Sequence, residues 1–219
     1  MKKIYISILI IIIITFGAFA LLRSPADNSD QKIEDVDLGQ TKSEDSIVYE
    51  VNQEESEVRF EIDEVLRGED FRVVGKTNQI QAQVSISEGE ISTLEISRVV
   101  VDALDLETDS TSRDGAIRNF ILKSNQEENR SIILEEISVD NFSESSASFS
   151  INGNLSISGV SKDIQLDAEI LELTSERLVL SVSGQVLRSD FDLLIPVVPF
   201  VASVSQTVDI RADLTFQKP

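Results

Sequence analysis

The chain contains no cysteine, no histidine and no tryptophan. Without cysteine there are no disulfides, no thiolate nucleophile and no lipidated N-terminal cysteine. Without histidine there is no Ser-His-Asp triad, no imidazole metal ligand and no usual general base. Carboxylates, lysine, tyrosine and serine remain for chemistry, and no pair of acids is spaced as a catalytic dyad. No loop has EF-hand spacing either. The expectation is therefore a protein that is not an enzyme and carries no cofactor. Positive charge is also scarce: 19 Lys and Arg face 39 Asp and Glu, a net charge of −20. Nucleic acid as partner is excluded by that sign, because phosphate binding needs clustered cations. The acidity itself reads as solubility.

Proline is absent from Ala26 to Ile195. Proline in a central strand removes a ladder hydrogen bond, so this gap suits long, unbroken strands. Aromatic residues are few: ten Phe and two Tyr. An interior built from these residues leaves more room than one filled with large rings.

Three segments are predicted: a leader or anchor (1–23), an acidic linker (24–46) and a folded domain (47–219). Lys2 and Lys3 precede Ile4 to Leu22, 19 residues without a charge. The run is long enough to span a bilayer. It also ends in Ala18-Phe19-Ala20, the small-x-small pattern of a signal-peptidase site. A retained membrane anchor and a leader cleaved after Ala20 both stay open, and both place the rest of the chain outside the cytoplasm. The linker holds seven acids against Lys32 and Lys42, with no aromatic residue. Such a segment is expected to be disordered.

From Ile47 the apolar residues alternate. Val58, Phe60 and Ile62 are followed by Ile80, Ala82, Val84 and Ile86. Later runs are Ala147 to Ile157, Ile164 to Ile170, Leu178 to Val186 and Val208 to Phe216, each with period two. Period two means one buried and one wet face, hence antiparallel strands. Asn152-Gly153 is read as running straight through a strand, with Gly153 at a bulge or close approach. The following turn is placed at Ser158 to Asp163, pairing Leu155 with Leu166 and Ile151 with Ile170. A turn near Leu171 to Arg177 then pairs Ile170 with Leu178 and Ala168 with Leu180. Ile117, Phe120 and Ile121 break the pattern at helical spacing, predicting a short helix from about Asp114 to Leu122. The fold class is thus all-β: an antiparallel eight-stranded barrel with one short helix, with a sandwich as the competing architecture.

If the interior is hollow, the candidate lining is Val58, Phe60, Ile62, Val84, Ile86, Phe120, Leu134, Phe149, Ile151, Leu180, Val182 and Phe191. If it is packed, the same residues fill it. Arg113, Asp114, Arg188 and Asp190 are the charged candidates. They either meet a polar headgroup at the barrel mouth or form surface ion pairs worth about 0–1 kcal/mol each. The stretch Leu193 to Val201, with Pro196 and Pro199, reads as a loop over the mouth or packed on the core.

The order of motifs resembles the YceI-like family of bacterial lipid- and polyisoprenoid-binding domains. Tyr49-Glu50-Val51-Asn52 leads to Ser56-Glu57-Val58-Arg59-Phe60, like the family's Y-x-ID…S-x-V-x-F. Gly75 falls at the Gly of V-x-G-x-F, without the Phe. Arg113-Asp114 with Ile117-Arg118 resembles RD-x-x-L-R. Asn152-Gly153-Asn154-Leu155-Ser156-Ile157-Ser158-Gly159-Val160-Ser161-Lys162 resembles G-x-LTI-x-GVTK. Arg188-Ser189-Asp190-Phe191 resembles R-x-DFG, with Asp192 at the usual Gly. The resemblance implies a lipocalin-like barrel, an elongated apolar cavity and an isoprenoid-type or other amphiphilic ligand. The ligand is then a hydrophobic small molecule such as an isoprenoid quinone, polyprenol or fatty acid. The alternative is an interaction domain with a packed core.

Overall fold

The computed structural model describes residues 37–39, 46–87, 90–143, 145–196 and 201–219. These belong to a compact unit, Lys32–Pro219. The expected N-terminal apolar segment, most of the linker and residues 197–200 of the proline-containing stretch lie outside the described residues. Among the described residues no helix is long and apolar enough to cross a membrane.

The predicted alternation is realised as an all-β antiparallel sheet. Its first strands are β1 (Ser46–Val51), β2 (Glu57–Leu66), β3 (Glu69–Thr77), β4 (Ile80–Gln81), β5 (Gln83–Ser87), β6 (Glu90–Ile96) and β7 (Val99–Asp102). The rest are β8 (Ser131–Ser143), β9 (Ser148–Ile157), β10 (Val160–Leu173), β11 (Arg177–Leu187), β12 (Val201–Val204) and β13 (Thr207–Gln217). Thirteen strands thus stand among the described residues where the pattern predicts eight. Short irregularities interrupt the runs: a 3-10 turn at Gln53–Glu55 and breaks at Ala82 and Ser97-Arg98.

The sheet is strongly curled. From β7 to β11 each strand pairs with the next, and β11 pairs with β13 along its whole length. β13 then holds β2 through Asp209–Asp213 and β1 at Phe216–Val51. β3 lies on β2 and β5 on β1. Finally β5 pairs with β6, and β4 pairs with β7 at Ile80–Val101, which brings the first strands round to the middle of the chain. Curling in this way leaves little unpaired edge.

Two registers differ from the sequence expectation. The β9–β10 turn is Ser158-Gly159 alone, with φ of 50° and 80°. Positive φ at both positions is the two-residue hairpin geometry that matches strand twist. Leu166 therefore faces Ile151, not Leu155, and Ile164 faces Gly153. Across β10–β11, Ile170 faces Leu180 and Ala168 faces Val182, with a bulge between Ile170 and Glu172. Both slips are even-numbered, so no side chain changes face. Gly153 does run through the strand. A Cβ there would lie 3.0 Å from the Leu134 side chain, beside a bulge on β8.

The helix α1 (Thr111–Ala116) begins before the predicted Asp114 and continues as a π-type turn over Ile117–Ile121. The linker departs from its expectation at one point. The strand break at Ser97-Arg98 leaves the Arg98 N–H without a ladder partner, and it donates to the Leu38 carbonyl at 3.1 Å. Leu38 is half-buried.

Two apolar clusters follow one another along the strands. The first joins Tyr49, Val84, Phe149, Leu166, Leu178, Leu180 and Phe216. The second joins Ala103, Leu106, Ile117, Leu122, Leu155, Ile157 and Phe191. Along β9, Phe149 and Ile151 belong to the first, Leu155 and Ile157 to the second.

Candidate functional site

The inner face of the sheet is the candidate site. At the first cluster the side chains enclose one another: Val84 and Leu178 are 0% exposed and Leu180 and Phe216 1%. Ile86, Phe149, Ile151 and Val182 are also buried there. Neighbouring side chains cover nearly all of the surface of these candidates.

Around the second cluster, as around the first, some inner side chains keep surface that solvent reaches. Phe60, Ile132, Leu134, Ile164, Val186 and Ile210 are all half-buried and pack against this cluster. Register fixes their direction. Val58 pairs with buried Ala212, and Phe60 with Ile210, so both point inward. Ile62, also half-buried, pairs with buried Val73. The Phe60 ring lies across Gly75, where a Cβ would stand 2.2 Å from it. Phe191 is enclosed beneath this end. Phe120 is a correction: it is 57% exposed and outside both clusters, because the helical turn presents Ile117 and Ile121 inward instead.

Of the predicted residues, Phe60 and Leu134 pack against the second cluster, Val58 packs against the first, and Ile62 belongs to neither. Ile132, Ile164, Val186 and Ile210 were missed, although Ile164, Val186 and Ile210 stand in the same alternating runs. Ile121 is the partner of Ile117 at helical spacing.

The segment containing α1 covers this end. Arg113 Nη2 donates to Glu64 Oε1 at 3.1 Å, and Nη1 donates to Asp109. Its guanidinium also lies 5.7 Å from the Phe71 ring centre. At the far side the Ser158 hydroxyl donates to the Leu122 carbonyl at 2.7 Å. The helical segment therefore bridges from β2 to the β9–β10 turn. Of the charged candidates, Arg113 lies in this segment, and its charge is already matched. Asp114 is buried and accepts from the Thr108 N–H and hydroxyl at 2.8 and 2.7 Å, fixing the entry to α1. Arg188 donates to the Ser205 and Leu193 carbonyls at 2.9 and 3.0 Å, tying the β11–β12 connection together. Asp190 is exposed. For Asp114 and Arg188 the structural role is the one observed.

A second polar group lies under the helical segment. The Thr77 hydroxyl donates to Asp105 at 3.4 Å. Burial pushes the Asp105 carboxyl up from the ordinary range, and Asp102 and Glu107 add to the rise; Thr77 and Arg118 oppose it. Arg130 meets Asp102 at 2.8 and 3.0 Å. Elsewhere, a cleft of about 420 Å³ lies beside the β8 bulge, lined by Glu136, Asn152, Asn154, Asp163 and Gln165 among others. Its amides and carboxylates do not suit an apolar ligand. Among the described residues no group of acids converges as a metal site.

A curled antiparallel sheet with an apolar inner face, capped by one short helix, defines the class: an all-β, barrel-like domain. Residues 49–216 match the YceI-like domain, and the chain belongs to that family. Among solved structures it is similar to BcnA of Burkholderia cenocepacia, at 12% identity and TM-score 0.59 over 75% of this chain and 98% of the other. It is also similar to a polyisoprenoid-binding domain from Saccharophagus degradans, at 14% identity and TM-score 0.57 over 79% and 99%. A Campylobacter jejuni YceI protein aligns at 15% identity and TM-score 0.50 over 90% and 98%. No curated protein matches the chain.

Proposed function

We propose that this chain binds an apolar amphiphile inside its barrel, without catalysing a reaction on it. The observation that carries the reading is the apolar inner face beside the helical segment. Around Phe60, Leu134, Ile164, Val186 and Ile210 its side chains are half-buried rather than enclosed. Unoccupied apolar surface of this kind gains roughly 25 cal/mol per Å² when a hydrocarbon covers it. Twelve of the thirteen strands group along the chain into eight staves: β1 with β2, β3 to β5, β6 with β7, then β8, β9, β10, β11 and β13, while β12 pairs with β2 outside them. A barrel of that number has an interior just wide enough for side chains or one small ligand. The polyisoprenoid-binding domain from Saccharophagus degradans supports an isoprenoid quinone or polyprenol as ligand, with a fatty acid as the nearest alternative. The apolar N-terminal segment supports a place outside the cytoplasm, anchored to the membrane or released after Ala20.

Lipid extraction from the natively purified chain, read by mass spectrometry, tests this. One long-chain species per protein is expected. The second reading, an interaction domain with a packed core, is favoured by the sealed first cluster. Recovery of no lipid, with no uptake of added quinone or polyprenol, would establish that reading instead.

A further inference from the structure

The helical segment over the half-open end carries an arginine whose role the fold does not explain. The other arginines nearby are spent on protein groups. Arg113 is matched by Glu64 and Asp109, Arg130 by Asp102, and Arg188 by two backbone carbonyls. Arg118 differs. Its Nε is buried and has no hydrogen-bond partner among the described residues. No carboxylate there stands within ion-pair distance of its guanidinium either. A buried guanidinium N–H left unmade is costly, and native proteins rarely retain one without a purpose.

Its position is informative. Arg118 lies between Ile117, buried in the second cluster, and Ile121, half-buried against it. Its charge is felt by Asp105. Asp105 in turn is held by Thr77, which is buried and pairs with Val58 on the inner face. Backbone hydrogen bonds between Lys76 and Glu107, at 2.9 and 3.0 Å, fix this arrangement against β3. The Arg118 guanidinium thus lies within electrostatic reach of Asp105, whose partner Thr77 faces Val58 across the ladder.

We propose that Arg118 binds the polar end of the ligand, and that this end is an uncharged oxygen acceptor, a carbonyl above all. This rests on the apolar-tail reading above and adds the head to it. The surrounding charges select the class. Asp105 lies close by, with Asp102 and Glu107 acting on it, and Arg130 already matches Asp102. A phosphate brought here would meet their repulsion, whereas a carbonyl takes the N–H bond without adding charge.

The test uses one branched tail with three ends: methyl phytanate, phytanic acid and phytane. Each is titrated into the full chain, and displacement of the fluorescent hydrocarbon diphenylhexatriene is read. One charge-assisted hydrogen bond predicts that the ester binds about tenfold more tightly than phytane. The acid is expected to bind no more tightly than the ester. In Arg118→Met the ester should lose about tenfold and phytane less than about twofold, with Arg118→Lys restoring part of the difference. An ester preference that survives Arg118→Met overturns the assignment, as does an equal loss for ester and phytane. An acid binding well above the ester overturns the uncharged class. If wild type takes up none of the three, the tail-binding reading itself fails and this one with it.

Discussion

Individual side chains in this domain do two kinds of work, and substitution separates them. Phe216 is enclosed in the first cluster. Phe216→Ala should cost about 3–5 kcal/mol in urea unfolding, as transfer and cavity terms add. Ile210, half-buried on the same strand, should cost markedly less when cut to alanine, because its surface is already partly wet. Equal costs would mean that both ends are packed alike. A different cost sits at Asp192, which adopts φ of 53° directly after Phe191. The family resemblance places glycine at this position, and the geometry gives the reason: the left-handed region is open to glycine without a steric penalty. Asp192→Gly should therefore be neutral or stabilising by up to about 1 kcal/mol. A clear loss of stability would show that the aspartate side chain matters there.

At the scale of strands and turns, the most exacting contact is between β2 and β3. The Phe60 ring occupies the space a side chain at Gly75 would take. Gly75→Ala should destabilise by roughly 1–3 kcal/mol through overpacking. Adding Phe60→Ala should recover part of that loss, a coupling that a double-mutant cycle measures. Additive effects would disprove the contact. The sequence disclosed the faces of these strands better than their partners. Alternation assigned Val58, Phe60, Ile164 and Ile210 to one side, because side-chain period is a local property. It misplaced the β9–β10 register, because nothing local says that Ser158-Gly159 closes a two-residue turn rather than opening a longer one. It also put Phe120 on the inner wall. Spacing alone cannot tell which side of so short a helical segment meets the core, and the structure turns Ile117 and Ile121 inward. Arg118 stood in the sequence as part of a motif but not as a site candidate, because an arginine without a partner is visible only once every neighbour is in place.

For the molecule as a whole, charge sets the response to pH. On the outer face Glu61 is shared by Arg72, Arg59 and Arg211, and Asp209 is held by Gln185 and Arg72. Their carboxyls are lowered below the ordinary range, Glu61 chiefly by the Arg72 hydrogen bond and Asp209 by that of Gln185. A carboxyl lowered in the folded state contributes stability above its unfolded pKa and loses it as pH falls through the folded one. Unfolding midpoints should therefore drop as pH falls from about 5 to about 3. Relief of the repulsion from a net charge of −20 acts in the opposite direction. Comparison with Glu61→Gln isolates the first effect: the variant should lose less stability over this interval than wild type. An unchanged slope would mean that the network contributes nothing, as many exposed pairs do not.

The whole account depends on the half-open end of the inner face accepting a hydrocarbon. The direct measurement is titration of diphenylhexatriene into lipid-stripped protein, wild type against Ile210→Glu. A saturable rise in fluorescence at one probe per chain, abolished by the buried carboxylate while circular dichroism stays unchanged, is the predicted result. A wild-type protein that gives no saturable rise, or a variant that binds the probe as well as wild type, would contradict it.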